Sequence, residues 1–338
     1  MSKAAELAAL IGSQSSLSNR NLIINGAMQV AQRGTSVTGI TSAQYHTVDR
    51  NKLQVNTAGT WTAAQSSTAP SGFTKSIKYD CTVADASLAS SDYVFNSYSL
   101  EGQDLQNLNY GTSSAKKITV SFYVRSNKTG TYTFEVQTYD GSTYYRNGKT
   151  YTIDSADTWE YKTITIDGNT SNSIIDSNTE GMTLFWWLAA GTDFTSGTFN
   201  NGTWVTSNTE RVANTVNLAD STSNDWYITG VQLEVGEQAT PFEHRSYGDE
   251  LARCQRYYFK GEGDPSSRNY YGTVYSTTHG FVIIDFPVTM RAIPTIGYTA
   301  RATSADFDST SYNSVDRMAI YMQSTSSYVT YPTADAEL

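Results

Sequence analysis

Residues 228–258, ITGVQLEVGEQATPFEHRSYGDELARCQRYY, change hydrophobic period midway, and that change constrains the fold of this chain more than any other feature. Val231, Leu233 and Val235 alternate with Gln232 and Glu234, the period of a strand with one buried face, and Gly236 ends it. Pro241 cannot donate to a ladder and biases Thr240 toward an extended backbone. Tyr247, Leu251, Cys254 and Tyr258 then fall at i, i+4, i+7 and i+11, one face of a helix. The stretch therefore closes one β domain, makes a helix and opens a second domain. The expected organisation is an N-terminal segment over 1–20, a β-sandwich over 21–243, a connecting helix over 244–259 and a smaller β domain over 260–338.

Strand signals recur through the first domain at 117–126, 131–139, 159–167, 182–190 and 225–235. Between them lie turn residues: 127–130 reads as a hairpin, Asp140 with Gly141 and Asn147 with Gly148 as turn dipeptides, and 200–202 as another turn. The alternation predicts a mostly β, antiparallel sandwich. Beyond the helix a second set follows at 270–276, 281–288, 294–302, 317–324 and 328–332. A domain that short gains from self-association, and Phe281, Ile283 and Phe286 are the apolar candidates for it.

Charge and composition exclude several functions. Charged residues make up only 16% of the chain and the formal charge is -9, which argues against a nucleic-acid groove built from clustered Lys and Arg. No apolar run reaches the length of a membrane span, since the longest, 184–190, is strand-sized. The N-terminus carries no secretory pattern, which predicts a product that stays in the cell that makes it. Cys81 and Cys254 are far apart and read as buried free thiols.

Candidate chemistry is sparse. His46, His244 and His279 stand apart from one another and from metal-ligand spacing, and none of the zinc, nucleotide or nucleophile-elbow motifs occurs. Asp85, Asp92, Glu101 and Asp104 are available as carboxylates, but linear sequence does not pair an acid with a base, so the expectation is a non-enzyme without a cofactor. Residues 154–157 and 220–225 offer oxygens for a structural calcium ion, set against the reading of ordinary Asx turns. Aromatics carry more signal: 24 tyrosines against 12 phenylalanines favour rings with a polar tip, suited to wet interfaces and to stacking on sugar C–H faces. Tyr139, Tyr144, Tyr145 and Trp204 lie on predicted loops, and Tyr270, Tyr271, Tyr312, Tyr328 and Tyr331 accompany Ser, Thr and Asn near loop ends of the second domain. The last five, with Trp204, are the candidate receptor or glycan contacts.

Residues 21–36, NLIINGAMQVAQRGTS, and the VQLEVG, TPFE and EL..CQRYY words of 230–258 occur in the same order in bacteriophage tail-fibre and related virion proteins, and this chain resembles that family. Asn51 follows Asp49 and Arg50 where members often carry tryptophan, and 286–295, FPVTMRAIPT, recurs in phage fibre tips. The resemblance implies a jelly-roll sandwich like that of carbohydrate-binding modules, and a homotrimeric virion structural protein. It also implies assembly onto a tail or adaptor protein through the N-terminus and recognition of a host surface glycan by the distal domain. Residues 4–11, AAELAALI, place Leu7, Leu10 and Ile11 on one side of a short helix, tethered by the Ser-rich 12–20, and are the expected docking peg. The alternatives are a head decoration or neck fibre without a receptor role, and a carbohydrate-active enzyme or its binding module.

Overall fold

The computed structural model describes residues 20–213, 215–261, 270–271, 273–274, 280–300, 313–322 and 328–338. Contacts divide the chain into two units: one takes the chain up to Gln29 and Thr35–Arg245, the other Val30–Gly34 and Ser246–Leu338. The helix thus counts with the second unit, and so does a five-residue piece from near the N-terminus.

Among the described residues the first unit contains twelve strands: β1 (Ser36–Ile40), β2 (Gln44–Tyr45), β3 (Lys52–Asn56), β4 (Thr60–Ser66), β5 (Ser76–Val83), β6 (Tyr93–Glu101), β7 (Ile118–Ser126), β8 (Gly130–Tyr139), β9 (Tyr144–Ile153), β10 (Glu160–Ile166), β11 (Glu180–Ala190) and β12 (Asp225–Val235). They form two six-stranded sheets, ordered β1-β4-β5-β12-β7-β10 and β2-β3-β6-β11-β8-β9. Read from β5 onward, consecutive strands step between the sheets except at the β8–β9 hairpin, and β12 returns between β5 and β7 while β11 lies between β6 and β8. That connectivity is the jelly roll, with β1 to β4 widening both sheets.

The strand order corrects two turn expectations. Residues 127–130 do not close a hairpin: β7 and β8 belong to different sheets, and Asn127 instead ties the crossing to β12 through its side-chain oxygen and the Asp225 amide, 2.9 Å apart. Asn147 and Gly148 lie inside β9, opposite Val136 and Glu135. Gly148 is there because Phe199 packs on its face, where a Cβ would come 2.7 Å from the ring, and Asn147 donates to the Gly202 carbonyl at 2.9 Å. Asp140 and Gly141 do form the β8–β9 hairpin, with Tyr139 opposite Tyr144.

Between the sheets, Trp61, Tyr79, Phe122, Tyr132, Phe134, Trp186 and Trp226 are fully buried in one continuous core. Rings meet edge-on, as Phe122 and Trp186 do at 5.7 Å and 89°, the arrangement the aromatic quadrupole favours. Both cysteines are buried, and neither is in a disulfide. The motif of residues 21–36 runs against β12: Leu22 donates to the Leu233 carbonyl (3.0 Å), and Val231 donates to the Gly26 carbonyl (2.9 Å). A side chain at Gly26 would collide with the Val231 carbonyl oxygen, so only glycine permits this approach. Asn51, in place of an aromatic, is buried and donates to Met28 Sδ at 3.4 Å, while Arg50 packs over the Tyr98 ring at 5.2 Å.

Among the described residues the second unit holds the helix Tyr247–Gln255 and seven strands: β13 (Tyr258–Lys260), β14 (Tyr270–Tyr271), β15 (Thr273–Val274), β16 (Gly280–Asp285), β17 (Thr295–Ala300), β18 (Arg317–Met322) and β19 (Tyr328–Asp335). β19 pairs with β13, β14 and β17, and β16 lies between β15 and β18. The helix is shorter than its apolar spacing predicts, and its buried face is Glu250 and Cys254 with Tyr257 just beyond. Tyr247, expected on that face, sits in the first turn and is exposed, while Tyr258 has already entered β13. Val282, Ile284, Phe286, Met290, Met318 and Ile320 centre the core, and Ile283 points outward. Arg33 stacks over the Tyr258 ring at 3.6 Å and pairs with Asp335 (2.9 Å) and Glu337 (3.3 Å), which anchors residues 30–34 to the C-terminus of the chain.

Candidate functional site

On β12 the sequence predicts Gln232 and Glu234 as the solvent face, and the structure corrects this: they are 0% and 4% exposed. The segment after Gly236 folds back over them. Gln232 Nε2 donates to the Thr240 carbonyl (3.1 Å) and its Oε1 accepts from the Glu243 amide (2.8 Å). Glu234 accepts from the Thr240 amide (2.9 Å) and hydroxyl (2.5 Å). Two polar side chains thus replace the water that the strand face loses, and they fix the 237–245 loop against the sheet.

The loop becomes one wall of a cleft of about 550 Å³. Its floor is the outer face of β7, β10 and β12, where Tyr123, Tyr161 and Gly230 lie; Phe73, from the β4–β5 loop, forms the opposite wall. Gly230 sits in a β-bulge at φ +63°, and a Cβ would come 2.7 Å from Phe73 and 3.1 Å from Tyr123, so its absence makes room for both rings. Phe73 contacts Tyr123 (5.5 Å), Phe242 (5.0 Å) and His244 (5.3 Å), and Tyr123 contacts Tyr161 at 4.9 Å. Tyr161 is 49% exposed, which leaves a ring face open at the rim.

Polar groups at the cleft are neutral and of hydroxyl type: Ser71, Ser121, Thr240 and the two tyrosines, with His244 at the edge. The lining contains no carboxylate, lysine or arginine. Flat aromatic faces with interspersed hydroxyls can stack on an apolar C–H surface and bond to its oxygens, and the lining holds no pair of carboxylates.

Other expected residues are placed as follows. Trp204 donates its indole N–H to the Asp167 carbonyl (2.9 Å), meets Tyr110 edge-on at 5.8 Å and packs on the sandwich core. Tyr139 and Tyr144 stack at 4.6 Å on the β8–β9 hairpin. Tyr270 packs on the core of the second unit, and Tyr331, half-buried at φ +50°, has Lys260 Nζ 6.0 Å from its ring centre. Tyr271 and Tyr328 are adjacent partners on β14 and β19. Tyr312 and the peg residues Leu7, Leu10 and Ile11 lie outside the described residues, as does His279. In the two stretches considered for calcium, Asp157 pairs with Arg125 (2.7 Å), Asp154 with Lys162 (3.6 Å) and Asp220 with Lys128. Those carboxylates already face cations, and no cluster of three or more metal-ligating side chains occurs among the described residues. No helix among them is long and apolar enough to cross a membrane.

No protein-family model and no curated protein matches the chain. Among solved structures, the enzymatically active domain of bacteriophage CBA120 tailspike protein 4 is similar at 8% identity and a TM-score of 0.33, over 64% of this chain and 21% of that one. The C-terminal family 22 carbohydrate-binding module of Clostridium thermocellum Xyn10B is similar at 12% identity and a TM-score of 0.34, over 66% and 99%. A sugar-binding protein assigned as such in Bacteroides thetaiotaomicron VPI-5482 is similar at 12% identity and a TM-score of 0.33, over 64% and 99%. The jelly-roll assignment rests on the strand order given above.

Proposed function

We infer that this chain is a virion fibre protein whose sandwich binds a glycan in the Phe73, Tyr123, Tyr161 and Phe242 cleft, without cleaving it. The observation that carries the reading is the cleft itself: four aromatic rings in a continuous run of contacts, with a bulged glycine making room for two of them, and neutral hydroxyls and no carboxylate in the lining. The virion setting draws its support from the words shared with tail-fibre proteins at residues 21–36 and 230–258. In that setting three copies associate, the N-terminal segment docks on the particle, and several weak sites on one fibre give durable attachment. The exposed Ile283 is an apolar group available to a neighbouring copy.

Purified protein is to be applied to host surface polysaccharide and to an array of neutral oligosaccharides. Tyr161→Ala should weaken binding by ten-fold or more, about 1.4 kcal/mol, while the melting temperature stays within a degree or two of wild type. No new reducing ends should accumulate. Undiminished binding by Tyr161→Ala and Phe73→Ala, with loss in Tyr331→Ala, would move the contact to the distal tyrosines. Reducing ends that vanish on substitution of an acidic residue would establish the enzyme alternative.

A further inference from the structure

The loop that walls the cleft is held from a second direction, by the first residues of the sandwich. Leu22 runs beside β12 through its bond to the Leu233 carbonyl, which brings residues 20–23 to the loop. The Asn21 amide donates to a Glu243 carboxylate oxygen at 2.8 Å, and Arg245 donates to the carbonyls of Ile23 (2.9 Å) and Asn21. Those bonds fix the end of the loop. Its middle is reached by Arg20, whose Nη2 donates to the Pro241 carbonyl and whose Nε lies 3.5 Å from Glu234 Oε1.

Arg20 therefore grips the wall twice, once at Pro241 and once through Glu234, the carboxylate that accepts from the Thr240 amide and hydroxyl. The Glu234 side chain is only 6% exposed, and a carboxylate that far from water needs a cation as well as hydrogen bonds. Arg20 supplies it. A planar guanidinium carries donors in more than one direction, so a single side chain can serve a carboxylate and a carbonyl together. Phe242 directly follows Pro241 and is the ring that meets Phe73 at 5.0 Å and His244 at 4.8 Å. A shift at Pro241 is thus a shift of the aromatic wall. The lining holds no carboxylate, lysine or arginine, and the ionic contribution to its shape comes from this pair outside it.

We propose that Arg20 is a positioning residue of the glycan cleft, one that sets Pro241 and Phe242 against Phe73 as ligand binding requires while touching no ligand itself. The role rests on the glycan reading above and adds to it a residue outside the lining. In sequence Arg20 is only the last residue of a Ser-rich tether, so this duty is visible only in the folded chain.

The test compares full-length wild type, Arg20→Ala, Arg20→Lys and Lys149→Ala by amide exchange and by binding to the array of neutral oligosaccharides. Arg20→Ala should speed exchange at Thr240 roughly ten-fold and weaken binding by a similar factor, with exchange in β7 and β12 and the melting temperature unchanged. Arg20→Lys keeps the charge but lacks the fork, and should fall between wild type and Arg20→Ala in both readouts. Lys149→Ala removes an equal charge from the second sheet and should change neither. Unchanged exchange at Thr240, faster exchange with undiminished binding, or a loss of binding that comes with faster exchange throughout both sheets overturns the proposal, as does an equal effect of Lys149→Ala. A wild type that binds no oligosaccharide on the array would count against the glycan reading and remove the ligand from this role, and exchange at Thr240 would still report whether Arg20 holds the wall.

Discussion

Asn21 uses both polar atoms of its side chain beneath the last strand of the sandwich. Its Oδ1 accepts from the amides of Ile23 (2.9 Å) and Leu233 (3.1 Å), and its Nδ2 donates to the Val231 carbonyl (3.2 Å). Asn21→Ala leaves these buried backbone groups without partners and should cost about 2–3 kcal/mol, read as a lower denaturant midpoint at unchanged slope. Gly230→Ala acts differently, because it drives a methyl group toward Phe73 and Tyr123 at a backbone conformation that suits only glycine. It should cost about 1–3 kcal/mol and reduce glycan binding more than Tyr161→Ala does. The Cys81 thiol is pushed up to about 11, chiefly by burial and further by the nearby Asp220. With Cys254 also buried, a thiol reagent at pH 8 should label neither cysteine in native protein and both after denaturation.

The 237–245 loop carries no regular structure, and Gln232 and Glu234 hold it by the bonds already given. Replacing both with alanine should free the loop, raise amide exchange at Thr240 and Glu243, and abolish cleft binding while the sheets persist. This element shows what the sequence could reveal and what it could not. The VQLEV alternation marks a strand correctly, because inner-face burial sets the period. It assigns Gln232 and Glu234 to solvent, because period alone does not report a loop folding back. The long apolar strands β7, β8, β10, β11 and β12 are legible for the same reason, whereas β6 places Asn96 and Ser97 in its middle and reads as polar chain. Asn147 and Gly148 resemble a turn in sequence, yet Phe199, some fifty residues on, requires the glycine inside a strand. The cleft escapes for a geometric reason: Phe73 and Phe242 are far apart in sequence and meet only once the jelly roll closes. One hint was available, since glutamine and glutamate on a strand just before a Thr-Pro pair supply the groups that such a loop needs.

For the whole molecule, the expected trimer and peg make a joint prediction. Removing residues 1–19 should leave the melting temperature unchanged while lowering incorporation into particles; the cut keeps Arg20, whose guanidinium pairs with Glu234 at 3.5 Å. Light scattering on the full chain should report three copies, and a monomer at micromolar concentration would remove the trimer from the reading. Arg33 adds a matter of timing. Its partners Asp335 and Glu337 lie about 300 residues later in the chain. At the usual pace of synthesis that separation is about 15–60 s, during which the ribosome has delivered one half of the contact and not the other. The second unit therefore cannot close this contact until residues 335–337 have emerged from the ribosome, and a chain that stops before them yields a first unit with an unfinished companion.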